Sequence, residues 1–140
     1  MILLDTNVIS EPLRRVPEAR VIAWLDGQSM DTLFLSAVTV AELRAGVELL
    51  PAGKRRSGLQ RDLEQRILPL FAGRILAFDL ACTCEYATLL ARTRAAGVAI
   101  AAADSYIAAI AAANGLAVAT RDAAPFRAAG IAVINPWEVA

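Results

Sequence analysis

Short apolar runs alternate with longer stretches of helical periodicity along the whole chain. The runs are too short and too continuous to be one face of a helix, and they predict five strands. These cover residues 2–4, 33–35, 75–78, 117–120 and 131–134. Between them, apolar residues at helical spacing with Pro or Gly at the boundaries predict helices. The helices cover residues 8–13, 17–27, 40–50, 54–71, 80–96, 101–114 and 123–128.

Strands that alternate with helices indicate βαβ units, which place parallel strands side by side and cover them with helices. The predicted fold is therefore α/β, a three-layer α/β/α sandwich around a central, largely parallel, five-stranded sheet. A chain of 140 residues is the length of one domain, and we expect residues 1–140 to form it.

The acidic and basic residues cancel, at 14 each, and the chain contains no histidine. The commonest general base and the commonest transition-metal ligand are therefore both absent. The segment 54–66 carries five basic residues against two acids, and it begins with Lys54, Arg55 and Arg56. Two interpretations remain open: the solvated face of a helix, or a patch that attracts RNA phosphates.

Cellular location is predicted from features that the chain lacks. Cys82 and Cys84 are separated by one residue in a predicted helix. This is poor geometry for a disulfide, so we expect reduced thiols. The first residues have neither the basic nor the apolar region of a signal peptide. The longest uncharged run, 105–120, is short for a membrane span. We expect a cytoplasmic protein with no membrane contact.

Three aspartates follow predicted strands: Asp5, Asp79 and Asp122. In open parallel sheets, ligands bind beyond the carboxyl ends of the strands, so topology alone makes Asp5 and Asp122 candidates for a site. Each could instead cap a helix. We interpret Asp79 as such a helix N-cap.

Glu42 and Asp104 lie on helix faces that consist of apolar residues. The face of Asp104 includes Ile107 and Ala108, and that of Glu42 includes Val38 and Leu49. We therefore expect both acids to point inward, where an ionised carboxylate needs a partner or a metal. The ordinary alternatives are a position near a helix start for Asp104 and, for Glu42, a surface pair with Arg44 or Arg121.

Four converging carboxylates would repel one another unless a divalent cation neutralised them. Oxygen ligands without histidine favour Mg²⁺ or Mn²⁺ over Zn²⁺. Such a site can hydrolyse a phosphodiester without a side-chain nucleophile, which suits this composition.

Six motifs in order resemble the PIN-domain nucleases of the VapC/FitB type, with the greatest likeness to the FitB branch. They are MILLDTNVISE at 1–11, SAVTVAEL at 36–43, LPLFAGRIL at 68–76, IAAAD at 100–104, VATRD at 118–122 and NPW at 135–137. One motif alone would be weak evidence, whereas the ordered set covers essentially the whole chain.

The resemblance implies a metal-dependent endoribonuclease that hydrolyses RNA with metal-activated water. It assigns Asp5, Glu42 and Asp104 as metal-binding acids and Asp122 as the fourth acid. Thr6 and Thr120 match positions that orient the site. Many relatives carry Asn where this chain has Arg121. We expect Arg121 either to bind substrate phosphate or to pair with Glu42 when metal is absent.

The resemblance also implies partners. It predicts a homodimer and a cognate antitoxin, which covers the active site and binds the operator DNA, so that DNA is contacted only through the antitoxin. An alternative function is a catalytically weak partner that dimerises and strengthens the antitoxin's binding to operator DNA. A Mg²⁺-dependent phosphotransfer domain is disfavoured, because the only lysine, Lys54, follows no predicted strand.

Overall fold

Five parallel strands form one sheet at the centre of the molecule. In the computed structural model, which describes residues 1–139, the strand order is β3-β2-β1-β4-β5. Residue Leu3 of the central strand lies opposite Phe34 on one side and Val118 on the other. The strands are β1 (Ile2–Leu4), β2 (Leu33–Ser36), β3 (Ile75–Leu76), β4 (Ala117–Ala119) and β5 (Val133–Ile134).

Helices cover both faces of this sheet, as predicted. On one face lie α1 (Thr6–Ser10), α2 (Ala19–Asp26), α3 (Ala37–Glu48) and α4 (Lys54–Asp62). On the other lie α5 (Leu80–Ala95), α6 (Ala102–Asn114) and α7 (Ala123–Ala128). The predicted α/β fold with a parallel five-stranded sheet is confirmed.

Neighbouring residues of a strand point to opposite faces of the sheet, and β1 shows how this builds two cores. Leu3 packs in the cluster that contains Ile107 and Phe126. Leu4 packs in the cluster that contains Val8 and Leu43. Because both residues are fully buried, the central strand has no solvent-facing side, which explains its uninterrupted apolar sequence.

Several predicted boundaries shift by a few residues. The predicted helix 54–71 is regular only to Asp62 and continues as a π-helical turn, Leu63–Ile67, and a 3₁₀ turn, Leu68–Phe71. Pro69 explains this change, because its ring lacks an N–H and clashes with the preceding turn. Helix α2 begins at Ala19, so Pro17 lies before it.

Helix α3 begins earlier than predicted and turns Glu42 outward. The Ser36 hydroxyl accepts a hydrogen bond from the Thr39 N–H at 3.0 Å, which caps the helix. The buried face carries Val40 and Leu43, whereas Glu42 is exposed and Leu49 is 85% exposed. The prediction that Glu42 points inward is therefore wrong, because α3 has apolar residues on both sides and hydropathy alone does not choose between them.

The two cysteines form no disulfide with each other; Cys82 is buried and Cys84 is exposed. Among the described residues, no helix combines the length and the apolar character that crossing a membrane requires.

Truncating the central strand tests the packing of the sheet. We expect Leu3→Ala to lower the free energy of unfolding by about 2–5 kcal/mol, because a buried leucine loses its contacts and leaves a cavity. Leu49→Ala is the matched control, and we expect it to change stability by less than about 0.5 kcal/mol. Urea denaturation of both variants measures the difference, and equal effects would contradict the assigned core.

Candidate active site

Two of the four predicted acids lie at the carboxyl ends of adjacent strands. Asp5 follows β1, and its backbone N–H donates to the carbonyl of Ala119, the last residue of β4, at 2.9 Å. Asp122 follows β4 after two further residues. Since β1 and β4 are paired in parallel, these acids share one edge of the sheet, as the strand-end argument predicts.

The other two acids reach the same edge from helices. Asp104 lies in the first turn of α6, half-buried beside the fully buried Ile107 and Ala108. Glu42 lies on the exposed face of α3. Burial, together with the negative charges of Asp5, Asp122 and Glu42, raises the pKa of Asp104 to about 6. The structure thus brings together all four predicted acids within electrostatic range.

Asp5 is the most buried member, with 3% of its surface exposed. Its carboxylate accepts hydrogen bonds from the Thr120 hydroxyl at 2.8 Å and from the Thr6 N–H at 2.8 Å. It therefore also caps α1, so a capping role and a site role coexist. Burial raises the pKa of Asp5 despite these hydrogen bonds, which favour the ionised form.

Hydroxyl groups orient the cluster, as expected for Thr6 and Thr120. The Thr6 hydroxyl donates to Glu42 Oε1 at 2.6 Å and lies 3.1 Å from the Thr39 hydroxyl. The fully buried Thr120 donates to Asp5 and accepts from the Asp122 N–H at 3.0 Å. Thr120 therefore links the carboxyl group of Asp5, which follows β1, to the backbone of Asp122, which follows β4.

Asn7 joins the cluster to the strand end after β4, a contribution that was not predicted. Its Nδ2 lies 3.4 Å from both Asp5 Oδ2 and Thr120 Oγ1, and its Oδ1 accepts from the Arg121 N–H at 3.3 Å. The adjacency of Asn7 to Asp5 and Thr6 was the available signal. Its amide donates through Nδ2 and accepts through Oδ1, so a single side chain contacts both strand ends.

Neither Arg121 nor Arg44 forms the surface pair with Glu42 that the alternative interpretation requires. Its guanidinium carbon lies over the Trp137 ring, 5.1 Å from the centroid. Arg44 pairs instead with Glu64, at 2.8 Å. The surface pair of Glu42 with Arg44 or Arg121 is therefore absent from the ion pairs of residues 1–139.

Asp79 is the N-cap of α5 and accepts from the Cys82 N–H at 3.3 Å. It is not among the charges that raise the pKa of Asp5 or Asp104. The interpretation of Asp79 as a helix cap is confirmed.

The basic segment opens α4 beside the site rather than within it. Lys54 and Arg55 are exposed, whereas Arg56 pairs with Glu48. A groove of about 200 Å³, lined by Thr6, Glu42 and Leu59 among others, runs between the cluster and α4. Helix α4 contributes Leu59 to this groove, whereas Lys54 and Arg55 are not among the residues that line it.

The donor set fits a hard divalent cation, because it consists of carboxylate oxygens with hydroxyl support and no histidine or thiolate. Across residues 1–139, however, no three acidic side chains already stand in the geometry of metal ligands. Asp5 and Glu42 are held by threonine hydroxyls instead. Burial, and the negative charges of the neighbouring acids, raise the pKa values of Asp5 and Asp104, and a cation would offset the repulsion among these acids.

The fold agrees with a known family. The PIN domain model matches residues 2–131. The chain belongs to the PIN domain family.

Similarity to individual PIN domain proteins extends over the full chain. The chain is 62% identical to plasmid stability protein StbB of Pseudomonas syringae pv. tomato, over 99% of both sequences. It is 55% identical to VapC ribonuclease Y4jK of Sinorhizobium fredii over 100% of both. It is 58% identical to toxin FitB of Neisseria gonorrhoeae, with 98% of this chain and 99% of that one covered.

Two solved structures share the fold closely. One is FitAcB from Neisseria gonorrhoeae, with a TM-score of 0.95 and 57% identity over 99% of this chain and 100% of that chain. The other is FitAB bound to an IR36 DNA fragment, with a TM-score of 0.96 and 54% identity over 100% of this chain and 98% of that chain. The resemblance to the VapC/FitB type is confirmed.

The raised pKa of Asp104 makes stability depend on pH. Because its pKa in the folded protein is about 6 against an ordinary 3.8, the folded state binds more protons between these values. In chelator, we expect the melting temperature to fall as pH rises through this window and then to level off. Asp104→Asn removes this part of the fall and raises the melting temperature at pH 7.

The control for this titration is Asp26→Asn, at an exposed acid that ends α2. We expect it to keep the pH dependence of the parent protein. Adding Mg²⁺ at pH 7 should raise the melting temperature of the parent protein more than that of the Asp104→Asn variant. A parent melting temperature that is constant from pH 4 to 6.5 would contradict the electrostatic coupling.

Proposed function

We propose that this protein is a metal-dependent endoribonuclease and the toxin of a type II toxin–antitoxin pair. The observation that carries the proposal is the cluster of Asp5, Glu42, Asp104 and Asp122 at the carboxyl edge of the sheet. Its members come from four separate parts of the chain, and desolvation and mutual repulsion raise the pKa values of Asp5 and Asp104. A fold gains no stability from such a cluster, so a ligand with positive charge is its natural explanation.

Mg²⁺, or Mn²⁺ in its place, is the cation we propose. Asp5, Glu42 and Asp104 are the residues that would hold it, with Asp122 as the fourth acid. The cation supplies Lewis-acid chemistry that activates water for phosphodiester hydrolysis. No general base other than these carboxylates is required, in agreement with the absence of histidine.

The protein groups around the acids have distinct tasks. Thr120 and the Thr6 N–H fix the Asp5 carboxylate, and the Thr6 hydroxyl fixes one oxygen of Glu42. Asp122 is exposed and, among the described residues, its side chain makes no capping hydrogen bond. Its carboxylate is therefore free to orient water or to accept a proton at the mouth of the site.

RNA is the proposed substrate, and we propose that the protein acts on it in the cytoplasm. The distribution of exposed charge suits the approach of RNA. The exposed Lys54 and Arg55 stand at the start of α4, and the groove past Leu59 leads to Glu42. Basic side chains there would attract the phosphate backbone without reading its sequence.

A cognate antitoxin and a second copy of the chain are the proposed protein partners. The relatives named FitB and VapC and the FitAB–DNA structure support the first. The exposed rings of Phe78 and Tyr106, which contact each other edge to face, support a homodimer, since exposed apolar surfaces mark protein contacts. DNA would be contacted through the antitoxin.

Removing one charge from the cluster tests the enzyme directly. We expect Asp5→Asn to keep the fold and to lower Mg²⁺-dependent RNA cleavage by more than about 100-fold, because even groups that only orient a metal ligand contribute about 10–100-fold. Cleavage of an RNA pool, with ends sequenced, should yield 5′-phosphate and 3′-hydroxyl products, and chelator should stop the reaction.

Asp79→Asn is the matched control, since Asp79 also follows a strand but caps α5, and asparagine caps helices equally well. We expect this variant to cleave RNA at the parent rate. Metal-dependent cleavage that persists in Asp5→Asn would refute the proposed active site.

The second candidate is a catalytically weak partner that strengthens the antitoxin's binding to operator DNA, and the FitAB–DNA complex favours it. Expression without antitoxin separates the two. Growth arrest that Asp5→Asn abolishes supports the nuclease. Normal growth, together with tighter operator binding by the antitoxin in a mobility-shift assay, supports the binding partner.

A further inference from the structure

Among residues 1–139, Arg121 is a cation that has no ion pair, although it adjoins one of the four acids in the sequence. It precedes Asp122 directly, and its backbone N–H is held by Asn7, which also contacts Asp5. Within residues 1–139 its guanidinium takes part in no ion pair and donates no hydrogen bond. The charge of Arg121 is not among the causes that shift the pKa of Asp5 or Asp104, so another contact determines where its guanidinium lies.

The Trp137 ring supplies that contact. The guanidinium carbon lies 5.1 Å from the ring centroid, within the range of a cation–π interaction. This contact draws on the charge of Arg121 but occupies none of its N–H donors by conventional hydrogen bonds. All five donors of the side chain therefore stay available to a ligand.

Trp137 is itself fixed in place from two sides. Its backbone N–H donates to Asn135 Oδ1 at 3.0 Å, and its backbone carbonyl accepts a hydrogen bond from the Arg20 side chain on α2. The tryptophan is half-buried and follows the buried Pro136. The indole ring packs against the hydrophobic cluster that contains Leu4 and Val8, and the exposed Arg121 guanidinium lies over it.

The chemistry of the site selects the ligand. A cation with free donors in a fork geometry binds phosphate oxygens in pairs. The neighbouring acids would repel a second carboxylate, but a phosphodiester entering the proposed metal site brings a further phosphate on each side of the reacting one. An arginine one residue from Asp122 is placed to meet such a phosphate.

We propose that Arg121, held over Trp137, binds an RNA phosphate adjacent to the one that is cleaved. Trp137 is a positioning residue that keeps the guanidinium away from the acids and directed to the substrate. This inference rests on the proposed ribonuclease function. It also decides between the two roles that the sequence left open for Arg121, in favour of substrate.

The test measures RNA binding separately from cleavage. The probe is a fluorescein-labelled, mixed-sequence, single-stranded RNA, and each variant is made in an Asp5→Asn background so that the RNA stays intact. We expect Arg121→Met to weaken binding by about tenfold and to reduce the slope of log affinity against log salt by about 0.7, the value for one lost phosphate contact on a single strand.

Two further variants separate the charge from its position. Arg121→Lys keeps the charge, so we expect the salt slope of the parent with a smaller loss of affinity. Trp137→Leu also keeps the salt slope, but it should weaken binding because the guanidinium is no longer restrained, and Trp137→Phe should recover part of the loss. In the cleaving protein these changes should raise KM more than they lower kcat.

The control is Arg94→Met, at an exposed arginine that ends α5 and has no ion pair among the described residues. It should leave affinity and slope unchanged. An unchanged salt slope in Arg121→Met would overturn the inference, even if Asp5→Asn abolishes cleavage. Conversely, a reduced slope in a protein that cuts no RNA would refute the nuclease and leave the phosphate contact standing.

Discussion

The burial of one carboxyl group, that of Asp5, governs the whole carboxyl edge of this sheet. An ionised carboxylate with 3% of its surface exposed must be compensated by hydrogen bonds or by positive charge. Thr120, Thr6 and Asn7 supply the hydrogen bonds. The conformation of both strand ends follows from this requirement, since each donor has to come from a different point of the backbone.

Hydrogen bonds compensate Asp5 only in part, because its pKa is still raised. The charge of Asp104 is also incompletely compensated, since the pKa of this residue rises to about 6. A fold selected for stability alone would place an apolar residue at either position. Under the proposed function, a cation that neutralises Asp5 and Asp104 would recover the free energy that their burial costs.

The sheet and most of the site could be predicted because each followed from a local rule. Continuous apolar runs marked the buried strands, and the strand-end rule selected Asp5 and Asp122. The inward direction of Asp104 was also predictable, since its apolar face is unambiguous. Glu42 lies within electrostatic range of the other acids, but not for the predicted reason. Helix α3 has two apolar faces, and the packing of α3 on the sheet, which hydropathy does not encode, turns Glu42 outward.

Contacts between distant segments lay beyond sequence reasoning. Asn7 and Arg121 are 114 positions apart, and their hydrogen bond exists only because β1 and β4 are neighbours. The support of Arg121 by Trp137 likewise depends on where the chain after β5 passes over the edge of the sheet. No propensity or spacing encodes either contact. Yet the consequence is specific: with its charge held over an indole ring, Arg121 forms no ion pair with the acids among residues 1–139. The cluster is then open to the cation that we propose, and the guanidinium to the proposed phosphate.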